Sequence, residues 1–215
     1  MKNILIIGDS YSTFEGYIPN GFEAYYPKLD VDEAGKTWWQ TFAQKTGCNI
    51  IQNNSWSGST IGYTGYNNSD CSQSSSFIYR YKKLKKEGFF ESNKIDTILI
   101  FGGTNDSWSN APLAEMQFSQ WEERDLFNVL PAICYFANIL KSDLPNAEIV
   151  FIINTEIKKE IQDAIEKAAG WYGLKSIRLA NIDKELGHPT VKGMNDISNQ
   201  LILFKDFYDK SNTGR

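Results

Sequence analysis

The sequence predicts an α/β domain, a parallel sheet covered by helices on both sides. Three observations carry this. Short apolar runs rich in β-branched residues recur at 4–7, 50–51, 98–101, 149–153 and 177–179. They alternate with stretches of helical periodicity, the pattern that strand-helix-strand units produce. Several runs are apolar at every position, as strands buried on both faces are.

The helical stretches follow in order. Residues 37–45 form the first, and 76–86 the second, entered through a serine cluster that can cap it. Residues 125–141 form a long one in which Pro131 marks a kink or a late start. Ile157, Ile161, Ala164, Ile165 and Ala168 make one apolar stripe, and Met194, Ile197, Leu201 and Phe204 make another in the closing helix. The stripe makes core packing the expected role of Met194. The 215 residues fit a single domain, 1–215, with Ser211 to Arg215 reading as a frayed tail.

Composition narrows the function classes. A formal net charge of -4 and a pI of about 5.1 give no basic face for nucleic acid. The one basic run, Lys82, Lys83, Lys85 and Lys86, reads as a solvated helix face. Cys48, Cys71 and Cys134 are odd in number and widely spaced, so packed free thiols are expected rather than a disulfide framework or a zinc site. No apolar run is long enough to span a bilayer. The N-terminal run leads straight into a turn and is too short for a signal segment. The expectation for the chain as written is cytoplasmic, or extracytoplasmic if a leader has been removed.

In open sheets of this type ligands bind at the carboxyl ends of the strands, so chemistry is sought in the loops just after the apolar runs. The first run ends in Gly8-Asp9-Ser10, where a sharp turn can present the serine hydroxyl to a cleft. The chain has one histidine, His188, after the last apolar run and before the last helix. A lone histidine excludes histidine-rich metal sites and makes His188 the candidate base for any serine chemistry near neutral pH. Glu185 and Asp183 lie three and five residues upstream, and such an acid orients a catalytic imidazole. The second run leads to Gly58, which can offer a bare backbone N–H, and the third ends in Gly103-Thr104-Asn105-Asp106, where Asn105 can donate its side-chain amide to an oxyanion. The loops 55–75 and 102–124 are longer than most connections. Their aromatics, Trp56, Tyr63, Tyr66, Trp108 and Trp121, suit either a ligand rim or loop cores, with Trp56 and Trp108 the substrate-binding candidates.

Gly8-Asp9-Ser10, Gly58, Gly103-Thr104-Asn105-Asp106 and His188-Pro189 resemble, in order, the four sequence blocks of the SGNH (GDSL-like) hydrolase superfamily, and they span residues 8 to 189. The resemblance implies a flavodoxin-like three-layer α/β/α sandwich with strand order 2-1-3-4-5. It implies acyl-ester hydrolysis with no metal or cofactor. Ser10 is then the nucleophile and His188 the base. The Ser10 and Gly58 N–H groups with the Asn105 side chain form the oxyanion hole, and Asp9 supports the turn. The chain departs from the family's Asp-x-x-His block, since Glu185 stands where the aspartate is usual. Glu185, Asp183 or a Ser-His dyad without an acid all stay open.

The substrate expected is a small acyl ester, an O-acetyl group on carbohydrate foremost, with thioesterase and lysophospholipase action as relatives' alternatives. Two other classes compete. A glycan- or acyl-binding module on the same fold needs no turnover. A nucleotide or flavin binder needs a phosphate-cradling loop, and Gly8-Asp9-Ser10-Tyr11-Ser12 is not one.

Overall fold

The computed structural model describes residues 1–213, with side chains described through residue 205. Five parallel strands form the sheet: β1 (Asn3–Gly8), β2 (Asn49–Ser55), β3 (Thr97–Gly102), β4 (Glu148–Ile153) and β5 (Lys175–Arg178). Their order is β2-β1-β3-β4-β5, as the resemblance implies. A second, two-stranded ribbon pairs β6 (Lys184–Glu185) with β7 (His188–Pro189).

Seven α-helices are described: α1 (Trp38–Thr46), α2 (Phe77–Lys86), α3 (Phe89–Ser92), α4 (Thr104–Trp108), α5 (Val129–Asp143), α6 (Lys159–Trp171) and α7 (Val191–Thr213). The strand side chains alternate between two cores. Leu5, Ile7, Ile98, Ile100 and Phe151 pack under α2, α5 and α6. Ile4, Ile6, Leu99, Phe101 and Ile152 pack under α1 and α7. Each such side chain contributes about 1.5–3 kcal/mol of burial, which is why β1, β3 and β4 read as unbroken apolar runs. Met194 is fully buried in the second core, in its expected packing role. The tail expected at Ser211–Arg215 lies outside the residues whose side chains are described.

Local signals explain the helix boundaries. Thr37 and Ser76 cap α1 and α2 by accepting the N–H groups of Gln40 and Tyr79. Pro131 falls in the first turn of α5, where a missing N–H costs nothing, and a 3-10 turn (Glu123–Phe127) occupies the segment before it. The helix therefore starts late rather than kinking.

Two departures matter for the site. β2 runs to Ser55, well past its two isoleucines. Its polar end is buried because every group finds a partner: Asn53 Nδ2 donates to Ser12 O at 2.7 Å, and Ser55 Oγ donates to Asn53 Oδ1 at 2.6 Å. Residues 13–33 also form a third long irregular segment besides the two expected, and it delivers Tyr25, Tyr26 and Lys28 to the ligand end of the sheet. The three cysteines are free. The lysine run on α2 faces solvent, with Lys85 paired to Asp143 at 2.6 Å.

Candidate active site

Gly8 closes β1 with room for no side chain. A Cβ there would lie 2.6 Å from Ser12 Oγ and 2.8 Å from Ser55 Oγ. The chain then turns through a 3-10 turn (Ser10–Ser12), which Asp9 caps by accepting the Tyr11 N–H at 3.1 Å. Asp9 thus supports the turn that aims Ser10.

His188 arrives on the β6–β7 ribbon. The two-residue turn Leu186-Gly187 has φ of 49° and 79°, the double left-handed geometry of a tight hairpin, which Gly187 adopts without strain. Two phenols fasten this ribbon: Tyr11 Oη donates to Gly187 O at 2.5 Å and Tyr26 Oη to Pro189 O at 2.7 Å. The result places His188 Nε2 2.9 Å from Ser10 Oγ. Nδ1 lies 3.3 Å from the Leu186 carbonyl. A carbonyl only accepts, so Nδ1 carries the proton and Nε2 is free to accept the Ser10 hydroxyl.

Neither expected carboxylate reaches the imidazole. The tight turn brings the Leu186 carbonyl to Nδ1, where an acid would sit. Asp183 is engaged at the base of the ribbon, its carbonyl accepting the Thr190 N–H at 3.2 Å and its carboxylate accepting the Thr190 hydroxyl. Glu185 pairs with His188 across the ribbon but is exposed. The imidazole that bonds Ser10 is thus oriented by a backbone carbonyl. Aromatic rings complete the support: Tyr25 stacks on the imidazole at 3.6 Å and 7°, while Tyr11 and Trp108 pack at 5.3 and 5.7 Å. Burial holds the His188 pKa below 6.5. The Leu186 carbonyl works against that shift, and the ammonium groups of Lys28 and Lys184 add to it.

The oxyanion candidates stand on the segments that follow β1, β2 and β3. The Ser10 and Gly58 N–H groups donate to no protein acceptor among the described residues. Gly58 has φ of 79°. Asn105, at the start of α4, donates Nδ2 to Ser59 O at 2.9 Å and accepts the Tyr66 hydroxyl on Oδ1 at 2.8 Å. Asp106 accepts the N–H groups of Ile61 at 3.0 Å and Gly62 at 3.4 Å, fixing the loop that follows Gly58.

The aromatics divide. Trp108 and Tyr66 are 42% and 40% exposed beside His188 and Asn105. Trp56 is half-buried and stacks on Phe22 at 4.3 Å. Tyr63 belongs to a core, and Trp121 packs on Tyr135. Tyr25, Tyr11, Tyr26 and the buried Arg80 were not candidates from sequence.

Asp9 also makes a stability prediction. One of its oxygens is buried with no partner, and burial raises its pKa from 3.8 to about 7. Between those values the folded chain holds a proton that the unfolded chain has released. Stability from this group is therefore full below about pH 4, falls as pH rises and is lost above about pH 7. Asp9→Asn keeps an acceptor for Tyr11 and removes the charge. Its Tm is expected to exceed that of wild type at pH 8, by a margin that shrinks towards pH 4. A margin independent of pH would contradict this ionisation.

A doubly wound sheet of order 2-1-3-4-5, with a hydrogen-bonded serine and histidine at its carboxyl end, defines a class of α/β proteins with the serine-hydrolase layout. The chain belongs to the GDSL-like lipase/acylhydrolase family, whose model matches residues 2–204. A structure from Bacteroides ovatus described as a GDSL-like lipase is 38% identical, with a TM-score of 0.89 over 96% of this chain and 98% of that one. A similarly described structure from Bacteroides uniformis is 40% identical, with a TM-score of 0.86 over 94% and 93%. An acetyl xylan esterase from Butyrivibrio proteoclasticus shares the fold at 19% identity, with a TM-score of 0.62 over 94% of this chain and 63% of that one. No curated protein matches the chain.

Proposed function

We propose that the protein is a serine esterase that releases short acyl groups, O-acetyl groups on carbohydrate foremost. The observation that carries this is the Ser10 Oγ–His188 Nε2 hydrogen bond of 2.9 Å, with the tautomer set by Leu186 O. Ser10 Oγ attacks the ester carbonyl as Nε2 takes its proton. The Ser10 and Gly58 N–H groups and Asn105 Nδ2 hold the resulting oxyanion. Its collapse expels the alcohol, which takes the proton back from Nε2. Water, deprotonated by the same nitrogen, then attacks the acyl-enzyme, and Ser10 leaves with the proton.

Two features support the substrate class. Ser10 and His188 are only 3% and 9% exposed, so access to the nucleophile is narrow and suits a short acyl group. The exposed rings of Trp108 and Tyr66 beside it suit a sugar face. A non-catalytic acyl-carbohydrate receptor is the second reading, favoured by the lack of a carboxylate on His188.

The test compares p-nitrophenyl acetate with the octanoate and follows the mass of the protein after treatment with an alkyl phosphonate ester. Acetate turnover at least about tenfold faster, with one phosphonyl adduct on Ser10, is expected. Faster octanoate turnover removes the short-acyl assignment. Folded protein with neither turnover nor adduct leaves the receptor reading.

A further inference from the structure

A buried cation lies beneath the site. Arg80, on α2, is 1% exposed, and every hydrogen bond it makes goes to a neutral oxygen. Nε donates to Ser75 O at 2.8 Å. One terminal nitrogen donates to the carbonyl of Asn54 and, at 3.0 Å, to its side-chain Oδ1. The other donates to Gly8 O and to Ser59 Oγ, both at 3.1 Å. Phe77 lies against the guanidinium at 4.7 Å. Taking a cation out of water is costly, and burial lowers its pKa to about 9, against the attraction of the buried Asp9 carboxylate nearby.

The acceptors show where the cost is recovered. Gly8 precedes the Asp9-Ser10 turn, Asn54 is the penultimate residue of β2, and Ser59 follows Gly58. Ser59 in turn holds Asn105 through its carbonyl at 2.9 Å. One rigid fork therefore ties together the segments that carry all three oxyanion donors, and places a fixed positive charge beneath them. We infer that Arg80 is a positioning residue for the oxyanion hole, acting through Ser59 and Gly8 and through its charge on the transition state rather than on the bound ester. A preorganised charge of this kind needs no reorganisation when negative charge develops on the carbonyl oxygen.

The inference rests on the esterase reading above. The test measures kcat and KM for p-nitrophenyl acetate, inhibition by phenylboronic acid and Tm in wild type, Arg80→Gln and Arg80→Lys. The boronate forms a tetrahedral anionic adduct on serine and so reports oxyanion stabilisation separately from folding. Arg80→Gln is expected to lower kcat about 10- to 100-fold, to leave KM within about threefold, and to weaken boronate inhibition in parallel with kcat. Arg80→Lys, which keeps the charge and loses the fork, is expected between the two. A merely structural brace would lower Tm and leave kcat and boronate affinity of the folded protein unchanged, and that result overturns the inference. If Arg80→Gln does not fold, Arg80→Lys and Ser59→Ala decide on the same criterion. A wild type that turns over no ester removes the esterase reading itself, whereas normal turnover and boronate affinity in the Arg80 variants removes this inference alone.

Discussion

His188→Ala is expected to lower kcat for acetate esters by roughly ten-thousand-fold or more, while Asp183→Asn and Glu185→Gln stay within about threefold of wild type. In a triad the acid fixes the imidazole tautomer, and neutralising it costs about ten-thousand-fold in kcat. Here the Leu186 carbonyl fixes the tautomer, and no side-chain substitution removes a carbonyl. Asp183→Asn also keeps an acceptor for Thr190 at the base of the ribbon. The pH profile supplies an independent check. Nε2 accepts a proton only when the imidazole is neutral, and burial places that transition below 6.5. A carboxylate on Nδ1 would move it upward. Activity measured by acid release at constant pH should therefore be half-maximal below pH 6.5. A hundredfold loss in Glu185→Gln, or a midpoint above 6.5, would restore an acid to the mechanism.

Ser10 and His188 were legible because each follows an apolar run at the ligand end of a parallel sheet, and the topology that brings such ends together is dictated by the runs themselves. Asn105 and Gly58 were candidates for the same reason, and they lie on the loops after β3 and β2. The orienting group was not. Residue spacing within 183–188 shows which side chains are near His188, but a backbone carbonyl leaves no mark on composition. The signal that was available is Leu186-Gly187: a glycine two positions after Glu185 allows a two-residue hairpin turn, and that turn sends the intervening carbonyl to Nδ1. Tyr25 was missed because residues 13–33 carry neither periodicity, and an irregular segment is positioned largely by partners distant in sequence, such as His188, on which Tyr25 stacks at 3.6 Å, and Pro189, whose carbonyl accepts the Tyr26 hydroxyl. Arg80 was hidden by its helix. Beside Lys82 and Lys83 it reads as one more solvated charge, yet it lies on the inward face with Phe77 and Leu84. The buried end of β2 was lost for a related reason, since Asn53-Asn54-Ser55 is polar and only its hydrogen bonds make it interior.

Asn105→Ala is expected to lower kcat about 100- to 1,000-fold with KM nearly unchanged. The amide is oriented from both sides. Ser59 offers a carbonyl, which only accepts, so Nδ2 must face it, and Oδ1 is left to accept the Tyr66 hydroxyl. An amide nitrogen carries two protons, and one remains for the oxyanion. Because the ground-state ester carbonyl is a weaker acceptor than the oxyanion, losing this donor raises the barrier far more than it weakens binding. Tyr66→Phe separates orientation from donation. It leaves Nδ2 in place and frees Oδ1, so the loss should be about tenfold or less. A loss in Tyr66→Phe equal to that in Asn105→Ala would mean that the phenol, and not the amide, supplies the third donor. Unchanged kcat in Asn105→Ala would leave the Ser10 and Gly58 amides as the whole of the oxyanion hole.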